Sequence, residues 1–207
     1  RSCMFKIVYY LVLICLYPFY WYRFEGRENI PAGPCVLCGN HSTNSDAVFM
    51  VLANGKKGDY GFMAKEELFR VPVLRHIIRW LHAFPVKRGM AGGDMHAIRT
   101  GFSILKSGKK LLMFPEGTRV KNGVSVRTGK PVEPKVGAVL FALRGGVPLV
   151  PVYISEGRKL FRRNVVRIGQ PYQPDCGSAK PTQEDYQRLA RELMEKIYAL
   201  RPEGGRA

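Results

Sequence analysis

The chain has few carboxylates for its size: 16 Asp and Glu stand against 33 Lys and Arg in 207 residues, a formal net charge of +17. Such an excess calls for an anionic partner: nucleic acid, an anionic membrane or phosphorylated substrates. The usual signatures of a nucleic-acid reader are missing, however. There is no zinc-finger spacing, no RNP block and no Gly-rich P-loop, and the basic residues are scattered rather than massed in one arm. No nucleic-acid partner is expected. Cysteines number only five, an odd count that fits a reducing compartment better than a disulfide framework. Cys35-x2-Cys38 is a lone pair with no second pair to complete a zinc site, and on a strand that spacing puts the two thiols on opposite faces. Of the four histidines, His76, His82 and His96 lack a carboxylate at a suggestive spacing and read as structural. Repeats and low-complexity tracts are absent.

No apolar run reaches the roughly 20 residues of a membrane span. The nearest approach is residues 7–22, sixteen residues without a charge. As a helix they would rise about 24 Å against a hydrocarbon core of roughly 30 Å. Aromatics crowd the end of this run, as in an interfacial belt, and no small-x-small cleavage site follows. Lys6 precedes it and Arg23 and Arg27 follow, so loop charge gives no orientation. Residues 1–24 therefore read as a membrane-associated segment that enters one leaflet or spans a thinned bilayer, with a buried core helix as the alternative. Residues 25–207 suit one domain.

Along that domain, strands and helices alternate. Strands are expected near residues 35–41, 60–64, 110–114, 147–154 and 165–168, and helices over 47–52, 95–106 and 136–143. Residues 68–84 carry apolar positions at helical spacing with Arg70, Arg75 and Arg79 among them. They read as one helix, either an ordinary amphipathic core helix or one that also touches lipid head groups. Asp94 is placed to cap a helix with Met95, Ile98, Phe102 and Leu105 on its apolar side. Thr182-x2-Asp185 forms a capping box ahead of a stripe of Tyr186, Leu189, Leu193, Ile197 and Leu200. Pro148 and Pro151 in the 147–154 strand suggest a sheet edge or a pocket wall. The fold class is α/β, a mostly parallel sheet flanked by helices.

Two blocks carry chemistry. Asn40-His41-Ser42-Thr43-Asn44-Ser45-Asp46 follows an apolar strand and precedes a helix, so Asp46 can turn back to hold the imidazole of His41. That pairing is a general base with its orienter, suited to taking a proton from an alcohol. Ser42 and Ser45 read as helix caps, and no nucleophile sits in a plausible motif. The second block, Phe114-Pro115-Glu116-Gly117-Thr118-Arg119, also follows an apolar strand. Loops at the carboxyl ends of parallel strands are where open α/β sheets bind ligands, so both blocks point to one cleft. Arg88 and Arg119 suit a bidentate phosphate clamp. The backbone around Gly117 and Thr118 is the candidate oxyanion donor. Glu116 either orients Arg119 or binds a substrate hydroxyl.

His41-x4-Asp46 followed by the Glu116-to-Arg119 block resembles the lysophosphatidic acid acyltransferases among the glycerolipid acyltransferases. Phe84-Pro85-Val86-Lys87-Arg88-Gly89 resembles the second block of that family, and the run from Val147 to Ile154 its fourth; together they cover residues 25–175. The resemblance implies transfer of a fatty acyl chain from acyl-CoA or acyl-carrier protein to the sn-2 hydroxyl of 1-acyl-glycerol-3-phosphate, giving phosphatidic acid. It implies no cofactor or metal beyond the acyl-donor substrate, acceptor binding at the matched positions Arg88 and Glu116 to Arg119, and a place on the cytoplasmic face of the cell membrane. Another lysophospholipid or lipid alcohol is the alternative acceptor. A non-catalytic basic protein that binds membrane or nucleic acid is the alternative of a different class; it would tolerate loss of His41 and Asp46.

Overall fold

The computed structural model describes residues 2–16, 19, 21–56, 58–87, 94–156, 163–177 and 180–202. A seven-stranded sheet organises them. In chain order its strands are β1 (Trp21–Glu25), β2 (Val36–Gly39), β3 (Tyr60–Lys65), β4 (Ala83–Val86), β5 (Lys110–Met113), then β8 (Leu149–Ile154) and β9 (Arg163–Ile168). A separate hairpin supplies β6 (Val120–Lys121) and β7 (Val124–Ser125). Across the large sheet the order is β1-β9-β8-β2-β5-β3-β4, and every pairing is parallel except β8 with β9. The helices are α1 (Ser2–Leu16), α2 (Asp46–Asn54), α3 (Pro72–Trp80), α4 (Met95–Lys106), α5 (Gly137–Gly145) and α6 (Gln183–Ala199).

The core divides into the two faces of the sheet. Phe5 and Tyr9 of α1 and Phe49 to Ala53 of α2 pack on one face with Leu37, Leu112, Val150 and Val152. Leu105 of α4, the buried side of α5, and Tyr186, Leu189, Leu193 and Ile197 of α6 pack on the other with Val36, Cys38, Leu111 and Leu149. Central strands coated on both sides read as continuous apolar runs, which is why Val36, Leu37 and Cys38 are all fully buried. Cys35 falls in the first cluster and Cys38 in the second, so the two thiols lie on opposite faces as their spacing requires. The helix-cap expectations at Asp94 and Thr182 hold, while that at Ser42 and Ser45 does not: the Asp94 carboxylate accepts from His96 N and Ala97 N, and Thr182 and Asp185 close a capping box, but α2 has no side-chain cap bond from Ser45.

Four expectations are corrected. The helix over 68–84 breaks into a 3-10 turn (Glu66–Arg70), α3 and β4. Pro72 has no N–H to give and so opens α3 at its first position, and His82 at φ 54 turns the chain out of helix into strand. Pro151 lies in no edge but in β8, between β9 and β2; of the two expectations for this strand only the pocket wall holds, through Tyr153. The Pro151 carbonyl accepts from Gly169 N beyond the last β8–β9 pair, Val152 with Ile168, and its missing N–H faces that same unpaired end. Met95 is exposed rather than part of the α4 stripe. Residues 7–22 do not form one helix: α1 ends at Leu16, and Trp21 and Tyr22 already belong to β1. The boundary placed after residue 24 thus falls inside a strand of the sheet.

α1 presents two apolar sides. Phe5 stacks on His82 at 5.3 Å between ring centroids, and the Tyr9 hydroxyl donates to Leu52 O at 3.2 Å. Ile7, Leu11 and Ile14 point away and stay exposed. Among the described residues no helix is long and apolar enough to cross a membrane.

Candidate active site

β2 and β5 are neighbours at the centre of the sheet, but the chain leaves them in opposite directions. From β2 it crosses the first face through α2; from β5 it crosses the other face through α5 to reach β8. Such a reversal opens a crevice at the carboxyl ends of the two strands. His41 follows β2 and Glu116 follows β5, so the two blocks flank that crevice.

Asn40 makes the exit from β2. Its buried amide donates to Ile154 O at 2.9 Å and accepts from Ile154 N at 2.7 Å, replacing a rung of the ladder and freeing the main chain to turn away. The next residue, His41, is gripped through its backbone by the second block. Its N–H donates to Glu116 Oε2 at 2.6 Å, and its carbonyl accepts from Val120 N at 2.7 Å. The imidazole stacks on Phe114, with centroids 4.5 Å apart and planes 18° off parallel. Two segments distant in sequence thus fix one histidine.

Asp46 completes the grip. It is the first residue of α2 and fully buried, where the positive end of the helix favours a carboxylate. Its Oδ2 lies 3.0 Å from His41 Nδ1 and accepts from Ser42 N at 2.6 Å and Thr43 N at 2.7 Å, while Oδ1 takes the Thr43 hydroxyl at 3.1 Å. An ionised carboxylate only accepts, so the imidazole proton is assigned to Nδ1 and the lone pair to Nε2. The imidazole side chain keeps 17% of its surface. Ser45 occupies the N-cap position without a side-chain cap bond; Asp46 instead satisfies the backbone donors at Ser42 and Thr43.

Glu116 does not orient Arg119. It is 5% exposed, and its two oxygens are taken by His41 N and by the Tyr198 hydroxyl, the latter at 2.7 Å. Burial pushes its carboxyl up to about 7, against the two donors that hold the charged form. Gly117 sits at φ +63, a left-handed conformation in which a side chain is strained, and its N–H donates to Phe114 O at 3.0 Å. That N–H is spent inside the turn, which leaves Thr118 N of the two expected oxyanion donors. Arg119 is exposed, has no ion pair among the described residues, and is steadied only through its carbonyl, which accepts from Val126 N at 2.8 Å. It stands at the base of the β6–β7 hairpin, whose Asn122-Gly123 turn has both residues at positive φ. Arg88 lies outside the described residues.

Sequence reasoning missed Asn40, Phe114 and Tyr198. Tyr198 is 82 residues from Glu116 and one position off the apolar stripe of α6, so nothing local marks it. It lines a cavity of about 810 Å³ between α6 and the hairpin, walled also by Glu116, Val120, Tyr153 and Arg201.

Residues 22–155 match the model of the family described as Acyltransferase. A 1-acyl-sn-glycerol-3-phosphate acyltransferase of Bacillus subtilis is 33% identical over 84% of this chain and 85% of its own. The chain belongs to this acyltransferase family. A chloroplastic 1-acyl-sn-glycerol-3-phosphate acyltransferase of Brassica napus is 34% identical over 71% of the chain; the match spans only 41% of that longer protein. In three dimensions the chain resembles the 1-acyl-sn-glycerophosphate acyltransferase PlsC of Thermotoga maritima. The TM-score is 0.65 at 23% identity, covering 99% of this chain and 81% of that one, a likeness of fold.

Proposed function

We propose that this acyltransferase moves a fatty acyl chain from a thioester, acyl-CoA or acyl-carrier protein, to the sn-2 hydroxyl of 1-acyl-glycerol-3-phosphate, yielding phosphatidic acid. The observation that carries the reading is His41, with Nδ1 held by buried Asp46 and the imidazole part-exposed at the sheet's central crevice. His41 Nε2 takes the hydroxyl proton as the oxygen attacks the thioester carbonyl. The tetrahedral oxyanion collapses, the C–S bond breaks, and the departing thiolate recovers the proton from the imidazolium. General-base assistance of this kind supplies about 10²–10⁴-fold. Transfer is direct, with no acyl-enzyme.

The remaining roles follow from what each residue has spare. Thr118 N–H serves the oxyanion, since that of Gly117 is already used. Arg119, exposed and without an ion pair among the described residues, clamps the acceptor phosphate, with Arg88 as its expected second hand. Glu116 acts by holding His41, not by meeting the glycerol.

The acceptor is a membrane lipid, and the exposed side of α1 supplies an attachment. Fifteen residues rise about 22 Å, so Ile7, Leu11 and Ile14 enter one leaflet while the net charge of +17 favours an anionic, cytoplasmic surface. Assaying the purified protein with 1-acyl-glycerol-3-phosphate against other lysolipids, and acyl-CoA against acyl-carrier protein, tests the reading. Turnover is expected with the phosphate-bearing acceptor. Preference for an uncharged lipid alcohol would contradict it.

A further inference from the structure

We infer that Tyr198, on the last helix of the chain, is a positioning residue for acyl transfer: its hydroxyl holds Glu116, and Glu116 holds the backbone of His41. The connection is short at both joints, 2.7 Å from Tyr198 Oη to Glu116 Oε1 and 2.6 Å from His41 N to Glu116 Oε2. Each carboxylate oxygen thus has one donor, and Glu116 itself is buried. The inference rests on the reading of His41 as general base.

Tyr198 matters because Glu116 is poorly placed to stay ionised. Burial opposes its charge, and so do the carboxylates of Asp46 in α2 and Glu156 after β8. No cation among the described residues bonds it. Arg201 is paired with Glu156 and lies over the Tyr198 ring at 5.4 Å, and Arg191 turns to Glu133 at 3.4 Å. The charge therefore depends on two hydrogen bonds, one from the Tyr198 hydroxyl and one from the very backbone that it must hold. Protonation turns a charge-assisted bond to His41 N–H into a weaker neutral one. The pivot of the imidazole then loosens, although no atom of Tyr198 meets substrate.

Tyr198→Phe removes the hydroxyl and keeps the ring, so the cation–π contact and the packing of α6 persist. The missing bond raises the Glu116 pKa further, because a donor to the charged form is lost. At neutral pH, kcat should fall about three- to tenfold, part of the worth of one hydrogen bond to a charged group because the hydroxyl acts at one remove, with each KM within about twofold of wild type. Raising the pH should restore kcat as Glu116 ionises again. In a Glu116→Gln background the same substitution should alter kcat less than about twofold, since the hydroxyl acts through the carboxylate. A loss equal at every pH, a change confined to KM, no loss at all, or an undiminished loss in the Glu116→Gln background would each overturn the inference. Wild-type protein that transfers no acyl group would overturn the functional reading itself, a separate result visible in the same assay.

Discussion

The loop after β2 and the loop after β5 sit side by side in one crevice, yet they are built on opposite plans. The first is closed. Asp46 is fully buried and has a donor on each oxygen, the His41 backbone is bonded at both ends, and its ring is stacked and tethered. The second closes only up to Gly117. Glu116 is buried and bonded twice, whereas three residues later Arg119 stands exposed with no ion pair among the described residues. A proton-transfer group works only in one geometry, so its cost of ordering is met by folding. A phosphate clamp gains by staying solvated and mobile until an anion arrives, because an internal carboxylate partner would have to be displaced.

Breaking the closed side should have the largest effect. Asp46→Asn leaves a single oxygen for several donors and removes the charge that stabilises the imidazolium, so kcat should fall about 10²–10⁴-fold. Turning the charge-assisted bonds from the Ser42 and Thr43 amides into neutral ones should also lower stability by about 1 kcal/mol, readable as a lower urea midpoint. Next comes the open side. Arg119→Lys keeps the charge but loses the fork, and should raise the KM for the lysophosphatidic acceptor about tenfold with kcat and donor KM nearly unchanged. A rise in donor KM instead would reassign Arg119 to the thioester carrier. The double substitution Leu11→Ser with Ile14→Ser should weaken vesicle binding and make what remains fall with salt; salt-resistant binding to neutral vesicles would point to another apolar surface.

The smallest effect is on stability against pH. The carboxyl of Glu116 is pushed up to about 7 in the folded chain from an ordinary 4.5. Between those values the folded state binds more proton than the unfolded, so stability declines as pH rises through the window and levels off above it. Glu116→Gln should flatten that decline. The lowered carboxyls of Asp59, Asp94 and Asp185 act in the opposite direction and at lower pH, below about 3.8, so the two contributions separate. A slope between about pH 4.5 and 7 that survives Glu116→Gln would show that this carboxyl is not its source.

What could be read from the chain was what spacing alone determines. His41 and Asp46 are five residues apart across a strand-to-helix turn, and local geometry brings them together. The alternation of apolar runs gave the parallel sheet, and Thr182-x2-Asp185 its last helix. Misreadings arose where one residue outweighed a pattern. Pro72 splits an otherwise helical period, and Pro151 occupies the one stretch of a central strand where no donor is wanted. Tyr198 and Asn40 escaped for another reason: their partners, Glu116 and Ile154, lie 82 and 114 residues away, and only the assembled sheet brings them within reach.

The most direct test of the central claim is single-turnover acyl transfer to lysophosphatidic acid by His41→Ala protein whose thermal midpoint matches wild type. The imidazole is partly exposed and contributes little to the core, so the fold should survive. The account predicts that transfer drops at least about 10²-fold, with acceptor binding retained. Near-normal transfer by that folded protein would contradict it and move the base elsewhere in the crevice.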